Sequence, residues 1–201
     1  MRVLHVDSAR GWRGGQNQVL LTARGMKDRG HDILLACHAG GVLESRARDA
    51  GLEVAPASFH GDLAPAAVWS VRRAWSTFGP EVVHLHDPHA LSAGTLASLV
   101  RPRGQGRAPA LVATRRVDFR LRGPLSRLKY RSCARVIAVS RAIARVLEGD
   151  GLDPDRVRVV YEGVPDRPPA AGGAAALQAL GIPPESPVVG NVAALTDHKD
   201  H

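Results

Sequence analysis

Short apolar runs alternate along the chain with segments that carry apolar side chains at helical spacing. The predicted strands are residues 3–6, 32–37, 52–55, 81–86, 110–114, 135–140 and 157–161, and the predicted helices are residues 16–29, 43–50, 66–78, 91–100 and 141–148. This alternation predicts an α/β fold, a doubly wound parallel sheet with right-handed crossovers. Ligands of such sheets bind outside the carboxyl ends of the strands, so the residues that follow each strand are the functional candidates.

The character of the chain changes near residue 165. Residues 166–187 are rich in proline, glycine and alanine, which is typical of a linker. Residues 188–195 form a new apolar run, and residues 196–201 resemble a loop that leads into a helix. We therefore predict a Rossmann-like domain over residues 1–165, a linker over 166–187, and at 188–201 a buried first strand of a truncated second domain.

The composition indicates a soluble globular protein, with 44% apolar and 23% charged residues. No apolar run approaches the roughly 18–20 residues that span a bilayer. Cys37 falls in a predicted buried strand and Cys133 just before another, so we expect reduced thiols in a cytoplasmic protein without a signal peptide.

The net charge of +8 favours binding of phosphates, whether on nucleic acid, anionic lipid or a sugar nucleotide. Aromatic residues make up only 4% of the chain, which leaves few side chains for base stacking. We therefore expect no specific nucleic-acid partner.

A glycine-containing loop, residues 11–15, follows the first predicted strand. It is not the G-x-G-x-x-G of dinucleotide-binding folds, and the second strand ends in His38 rather than in an acidic residue. Gly14 and Gly15 at a helix start suit backbone N–H groups that approach an anionic or hydroxylated ligand. A tight turn, whose glycines only relieve steric crowding, explains the loop equally well.

Three histidines lie close together in the segment that ends the fourth strand. His84 and His86 share one face of that strand, but Pro88 and the lack of nearby cysteine or glutamate argue against a metal site. We therefore predict no metal. His86 is expected at the ligand crevice and His84 one layer deeper, within a hydrogen bond.

Arg115 and Arg116 follow the fifth strand, where their guanidinium groups could recognise phosphate or carboxylate. The alternatives are a solvated pair or an ion pair between Arg116 and Asp118. The position at a carboxyl strand end favours ligand recognition.

Residues 120–131 form the densest basic segment, in which Leu121, Leu125, Leu128 and Tyr130 alternate with charges. Such a stretch could lie on an anionic membrane surface. An ordinary surface helix that packs its leucines on the core is the alternative, which the pattern slightly favours.

Six motifs in this order and spacing resemble glycosyltransferase family 4. They are the glycine pair 14–15, residues 82–87, residues 113–116, residues 136–140, residues 159–164, and residues 189–195 followed by Lys199. The resemblance implies a retaining enzyme with the GT-B fold, in which two Rossmann-like domains face each other across a cleft. The first domain of that fold holds the sugar acceptor, and the second holds the nucleotide-sugar donor and a pair of glutamates in an E-x7-E motif.

The resemblance also implies roles for particular residues. His86 and Arg116 would be catalytic, although many members have a histidine where Arg116 stands. The acceptor side would include Gly14, Gly15, Gln16, Arg115 and Asp118. Gly15 and Lys199 would contact the donor phosphates, although Ala194 stands where many members have a second phosphate-binding arginine.

The sequence thus predicts the acceptor-side domain of a glycosyltransferase that uses a nucleotide-diphosphate sugar and a glycan or lipid-linked acceptor, with no cofactor. Because the E-x7-E segment does not occur before His201, we expect these residues to be inactive alone. We also expect a cytoplasmic protein, peripheral at the inner membrane face if the basic segment binds lipid. The rival interpretations are a non-catalytic phosphate- or sugar-binding module of the same fold and a nucleic-acid-binding domain.

Overall fold

A computed structural model describes residues 1–59, 65–100, 108–166, 168 and 171–190. The strands are β1 (Arg2–Asp7), β2 (Asp32–His38), β3 (Glu53–Ala57), β4 (Val82–Leu85), β5 (Ala110–Arg115), β6 (Arg135–Ala138) and β7 (Val157–Val159). The helices are α1 (Gly14–Lys27), α2 (Val42–Asp49), α3 (Pro65–Phe78), α4 (Pro88–Leu99), α5 (Gly123–Arg131), α6 (Arg141–Gly149) and α7 (Gly173–Ala179).

The seven strands form one parallel sheet in the order β3-β2-β1-β4-β5-β6-β7. This arrangement confirms the predicted doubly wound α/β fold. The strand order reverses between β1 and β4, and a crevice opens at such a reversal, outside the carboxyl ends of the strands. The loops that follow β1 and β4 therefore form the centre of the expected ligand site.

Two apolar clusters cover the two faces of the sheet because alternate residues of a strand point to opposite sides. Leu4 and Val6 belong to the cluster that includes α3, α4 and α6. Val3 belongs to the other cluster, with α1 and α2. Cys37 and Cys133 are buried free thiols, as the sequence predicted.

Two helix starts are set by capping side chains. Asp87 accepts hydrogen bonds from the backbone N–H groups of His89 and Ala90, so α4 begins at Pro88 rather than at the predicted residue 91. Ser140 accepts from the Ile143 N–H at 3.2 Å, so β6 ends at Ala138, before the predicted residue 140. Both caps bring the start of a helix to the carboxyl edge of the sheet.

The chain divides into two compact units, residues 1–163 and 164–201. The second unit includes α7, so the segment predicted as a linker contains a helix. Val188 and Val189 are exposed and lie outside any strand, so the predicted buried strand does not begin there. The rest of that strand, with Ala194 and Lys199, lies outside the described residues.

The contact between α4 and β4 depends on Gly94. A Cβ at this glycine would lie 2.5 Å from the Cδ2 atom of Leu85, a side chain that is only 1% exposed. Gly94→Ala should therefore lower the free energy of unfolding by about 1–3 kcal/mol through overpacking. Urea denaturation of the 201-residue chain measures this change.

Gly25→Ala is the matched control in α1. Its Cβ would meet only the mobile end of Arg29, at 3.3 Å, so the gain in helix propensity should raise stability by up to about 1 kcal/mol. Equal stability of Gly94→Ala and the unsubstituted chain would contradict the close contact.

Candidate functional site

The loop that follows β1 is fixed to α1 through Asp7. Gln16 donates from Nε2 to both carboxylate oxygens of Asp7, at 3.2 and 3.1 Å, and the Ala9 N–H donates to Oδ1 at 3.0 Å. Burial, and then the charge of Asp87, raise the pKa of Asp7 to about 6. Gln16 was predicted to contact the sugar acceptor, but its amide N–H groups donate to Asp7.

Asp87 joins the loops that follow β1 and β4. The Ser8 N–H donates to Oδ2 at 2.7 Å and the Ser8 hydroxyl donates to Oδ1 at 2.6 Å. Because the same carboxylate caps α4, both loops and the helix start form one hydrogen-bonded unit. This rigid rim is a good base for a binding site.

Three histidines meet in the interior beneath this rim. His5 of β1 lies beside His84 of β4, and its Nδ1 atom is 2.9 Å from the Nε2 atom of His86. The Nε2 atom of His84 lies 2.7 Å from the Thr114 hydroxyl, in agreement with the predicted deeper, hydrogen-bonded position. The sequence analysis missed His5, although its parity with Asp7 in β1 places both on one face of the strand.

Burial makes these imidazoles neutral. It lowers the pKa of His5 to about 4. Burial, the neighbouring histidines and Arg116 hold the pKa values of His84 and His86 well below their ordinary value. All three rings are therefore uncharged at neutral pH.

The histidine cluster is also where a metal would be sought. His5, His84 and His86 offer nitrogen atoms that lie within 4.8 Å of one another, and no acidic residue or cysteine joins this group among the described residues. Ring nitrogens of all three already form hydrogen bonds, and the guanidinium of Arg116 next to His86 would repel a cation. The geometry favours a hydrogen-bonded cluster, and the absence of a metal stays a prediction.

Arg116 lies at the carboxyl edge of the sheet, directly after β5. Its Nη1 group donates to the His86 carbonyl at 2.9 Å, its Nη2 group lies 3.5 Å from His86 Nδ1, and its Nε group donates to Glu162 Oε1 at 2.5 Å. The ion-pair partner is therefore Glu162, not the Asp118 that the sequence suggested as an alternative. A Cβ on Gly15 would lie 3.7 Å from Arg116 Cδ, so the structure brings Gly15, His86 and Arg116 together.

Arg115 points elsewhere. Its guanidinium donates to the carbonyl oxygens of Val117 and Phe119 and lies 3.4 Å from the Tyr130 hydroxyl, and the residue is only 8% exposed. These bonds give Arg115 a role in holding its loop rather than the predicted acceptor contact.

The other predicted site residues are at or beyond the edge. Asp118 is exposed on the loop that Arg115 holds, and Gly14 is exposed at the first position of α1. The N-cap residue of α1, Arg13, makes no side-chain hydrogen bond to the first turn, so it leaves the N–H groups of that turn, which include those of the glycine pair, without a side-chain cap. Lys199 lies outside the described residues.

A cavity of about 390 Å³ opens at the carboxyl edge, beside the rim. It is lined by Ser8, Ala9, Arg10, His38, Phe59, Asp87 and His89. Arg10, Phe59 and His89 were not among the predicted site residues, although the loops after β1, β2 and β4 were. A larger cavity of about 500 Å³ lies at the opposite edge, near Lys27 and His31, where folds of this kind do not place their ligands.

The family of the chain is shown by a match over most of its length. The family described as Glycosyltransferase Family 4 matches residues 12–167. The chain belongs to this family. The match includes Gly14, Gly15, His86 and Arg116, and it confirms the resemblance found in the sequence.

Several solved structures have the same fold. Anabaena Alr3699/HepE in complex with UDP-glucose is 19% identical, with a TM-score of 0.69 over 90% of this chain and 50% of that one. A glycosyltransferase from Rickettsia africae ESF-5 is 18% identical, with a TM-score of 0.64 over 81% and 43%. The lipopolysaccharide outer core galactosyltransferase WaaB is 13% identical, with a TM-score of 0.57 over 82% and 46%.

The chain thus spans about half the length of these proteins and has the Rossmann-like fold of one half of a GT-B glycosyltransferase. A comparison with curated protein sequences gives no significant match.

Proposed function

We propose that this chain is the acceptor-side half of a retaining glycosyltransferase, which transfers a sugar from a nucleotide-diphosphate donor to a glycan or lipid-linked acceptor. The observation that carries the proposal is the meeting of Gly15, His86 and Arg116 at the carboxyl edge of the sheet, the edge at which the 390 Å³ cavity also opens. Complexes of HepE with UDP-glucose and with UDP and glucose support a nucleotide-sugar donor. The donor half would come from a second domain.

Arg116 is the group best placed to act on the leaving diphosphate of the donor. Its side chain is 18% exposed, whereas His86 is only 4% exposed and holds Arg116 through its carbonyl and its ring. The leaving diphosphate gains negative charge as the glycosidic bond breaks, and a fixed guanidinium stabilises that charge. The first-turn N–H groups of α1 add a positive dipole end on the same side, next to Gly15.

The cavity beside the rim suits a sugar acceptor. Phe59, which is largely buried, adds an apolar side chain to the lining, and Arg10 is a charged donor for hydroxyl or phosphate oxygens. Asp87, which belongs to the rim, orients the Ser8 hydroxyl on the wall of this cavity.

Arg10→Ala tests this acceptor assignment in a two-domain protein that contains the chain. Loss of a charge-assisted hydrogen bond of about 1.5–3 kcal/mol should raise the acceptor KM by about tenfold or more and leave the donor KM unchanged. Arg24→Ala, on the exposed side of α1, is the control and should change neither constant. An unchanged acceptor KM for Arg10→Ala would place the acceptor elsewhere.

The basic segment next to the cleft supports a membrane partner. Leu125 is 74% exposed, Leu128 63% and Phe119 67%, so these side chains do not pack on the core as the alternative interpretation expected. Arg120, Arg122 and Arg127 are exposed among them. We call these six residues the basic-apolar surface.

This surface fits an anionic bilayer. Leucine and phenylalanine side chains enter the interface while arginines pair with lipid phosphates, each arginine contributing about 1 kcal/mol. None of the helices in the described part of the chain is long and apolar enough to cross a membrane, so the contact would be peripheral. We place the protein at the cytoplasmic face of the inner membrane, where a lipid-linked acceptor would reach the neighbouring cleft.

Vesicle sedimentation of the 201-residue chain measures this contact. The chain should bind vesicles that contain phosphatidylglycerol and not neutral phosphatidylcholine vesicles. Leu125→Ser combined with Leu128→Ser should weaken binding by about tenfold or more, because two buried leucines are lost from the interface. Trp69→Ser, which removes an equally exposed side chain from α3, should bind like the unsubstituted chain. Equal binding to both kinds of vesicle, or none, would refute the membrane partner.

A further inference from the structure

We propose that His5 is a positioning residue, which fixes the tautomer of His86 and thereby holds the guanidinium of Arg116 at the cleft. The part that concerns catalysis rests on the function proposed above, whereas the tautomer itself does not. His5 lies in β1, three residues before the loop that begins at Ser8, and it is fully buried.

The hydrogen bonds run in one direction. A guanidinium has no acceptor, so the Nδ1 atom of His86 must accept where Arg116 Nη2 lies 3.5 Å away. A neutral imidazole carries one proton, which then sits on Nε2 of His86 and is donated to His5 Nδ1 at 2.9 Å. The proton of His5 is left on its own Nε2 atom.

The surroundings of His5 Nε2 distinguish a positioning role of His5 from a purely structural one. His5 Nε2 is buried and has no hydrogen-bond partner among the residues that the structure describes. A buried polar group without a partner destabilises the fold, and an apolar side chain of similar size would avoid this loss. A purely structural role therefore does not explain a histidine here, whereas the need for an acceptor opposite His86 Nε2 does.

The neighbours of the His5 ring are consistent with a hydrogen bond between two uncharged imidazoles, His5 and His86. His84 tilts against both rings, with centroids 5.3 Å from His5 and 4.0 Å from His86, and Arg116 adds positive charge at the far end. Burial keeps the pKa of His5 low, so protonation does not reverse the direction of the bonds near neutral pH.

Loss of the acceptor at His5 has a defined consequence. His86 would then be free to carry its proton on Nδ1, where an N–H would oppose the N–H of Arg116. The contact of Arg116 with the His86 ring would be lost, and its guanidinium would keep only the His86 carbonyl and Glu162 among its polar partners in the described residues. Without the ring contact, the Nη2 group loses the partner that fixes its direction, and the guanidinium is held less firmly at the cleft.

Nitrogen-15 NMR of the histidine rings in the 201-residue chain reads the tautomer directly. His86 should carry its proton on Nε2 in the unsubstituted chain and in His5→Asn, whose amide oxygen replaces the Nδ1 acceptor. His5→Leu should shift at least half of the His86 population to the Nδ1 tautomer. Should His5→Leu not fold, His5→Gln, which moves the polar group away from the Nδ1 position, takes its place.

Activity of the two-domain protein completes the test. The variant without the acceptor should lose at least tenfold in kcat with little change in the donor KM, and His5→Asn should restore most of the loss. An unchanged His86 tautomer in a folded His5→Leu or His5→Gln variant would overturn the proposal, and so would an altered tautomer with full kcat. Lack of activity in the unsubstituted protein would contradict only the proposed function, because the tautomer is measured without substrate.

Discussion

Arg116→Ala should lower the transfer rate of a two-domain protein containing this chain by about thirty- to a thousandfold. The guanidinium lies at the carboxyl edge of the sheet, held by His86 and Glu162, and a charge-assisted contact of this kind is worth roughly 2–4 kcal/mol in a transition state. The measurement is kcat/KM for sugar transfer under donor saturation, with circular dichroism to verify folding.

Arg120→Ala is the matched control. Arg120 is exposed on the loop that follows β5, where loss of a solvated charge changes little. Similar rates for the two variants, both folded, would show that Arg116 is only a structural charge.

Acidification should destabilise the first unit, residues 1–163, through its buried histidines. The folded pKa of His5 is about 4, below the unfolded value of 6.5, so the unfolded chain takes up a proton first. The stability that this histidine contributes above pH 6.5 is therefore lost as the pH falls toward 4, a change of about 3 kcal/mol. His84 and His86 act in the same direction.

Asp7 opposes this loss. The pKa of Asp7 is about 6 in the folded chain, above the value of 3.8 in the unfolded chain, so its buried charge lowers stability above pH 6. This penalty disappears as the pH falls from about 6 to 3.8. Asp7→Asn should therefore be more stable than the unsubstituted chain at pH 7, by up to about 3 kcal/mol, and similar to it at pH 4. Its stability should fall more steeply on acidification.

Urea denaturation at pH 7, 5.5 and 4 measures how the free energy of unfolding changes with pH in the unsubstituted chain and in Asp7→Asn. Arg24→Ala, which removes an exposed charge from α1, is the control and should leave the slope unchanged. A flat profile for the unsubstituted chain, or equal slopes for it and Asp7→Asn, would contradict the burial of these groups.

The sequence predicted the strands and their parallel arrangement because continuous apolar runs and helical spacing are local signals. It also placed His86 and Arg116 at the ligand edge, since both follow strands. It could not reveal that His5 joins His84 and His86, because this contact depends on the register between β1 and β4, whose paired residues are 79 positions apart in the chain. Register is set by packing of the whole sheet.

The two adjacent arginines show a second limit. Alternation along β5 places Arg115 and Arg116 on opposite sides but does not say which side is the cleft. Arg115 is drawn inward by two loop carbonyls and the Tyr130 hydroxyl, which are tertiary contacts.

The leucines of the basic segment show a third. Leu121, Leu125 and Leu128 have helical spacing, yet α5 begins only at Gly123, whose φ of +73° breaks the helical phase. Leu121 therefore lies before the helix and is buried, whereas Leu125 and Leu128 face outward.

Sugar transfer by the two-domain protein tests the central claim most directly. Radiolabelled nucleotide-diphosphate sugars are supplied with a membrane lipid extract as acceptor, and the anomeric configuration of the product is read by NMR. The account predicts transfer from at least one donor with retained configuration, no transfer by the 201-residue chain alone, and loss of transfer in Arg116→Ala. A folded protein that binds a nucleotide sugar yet transfers it neither to lipid, glycan nor water would contradict the account.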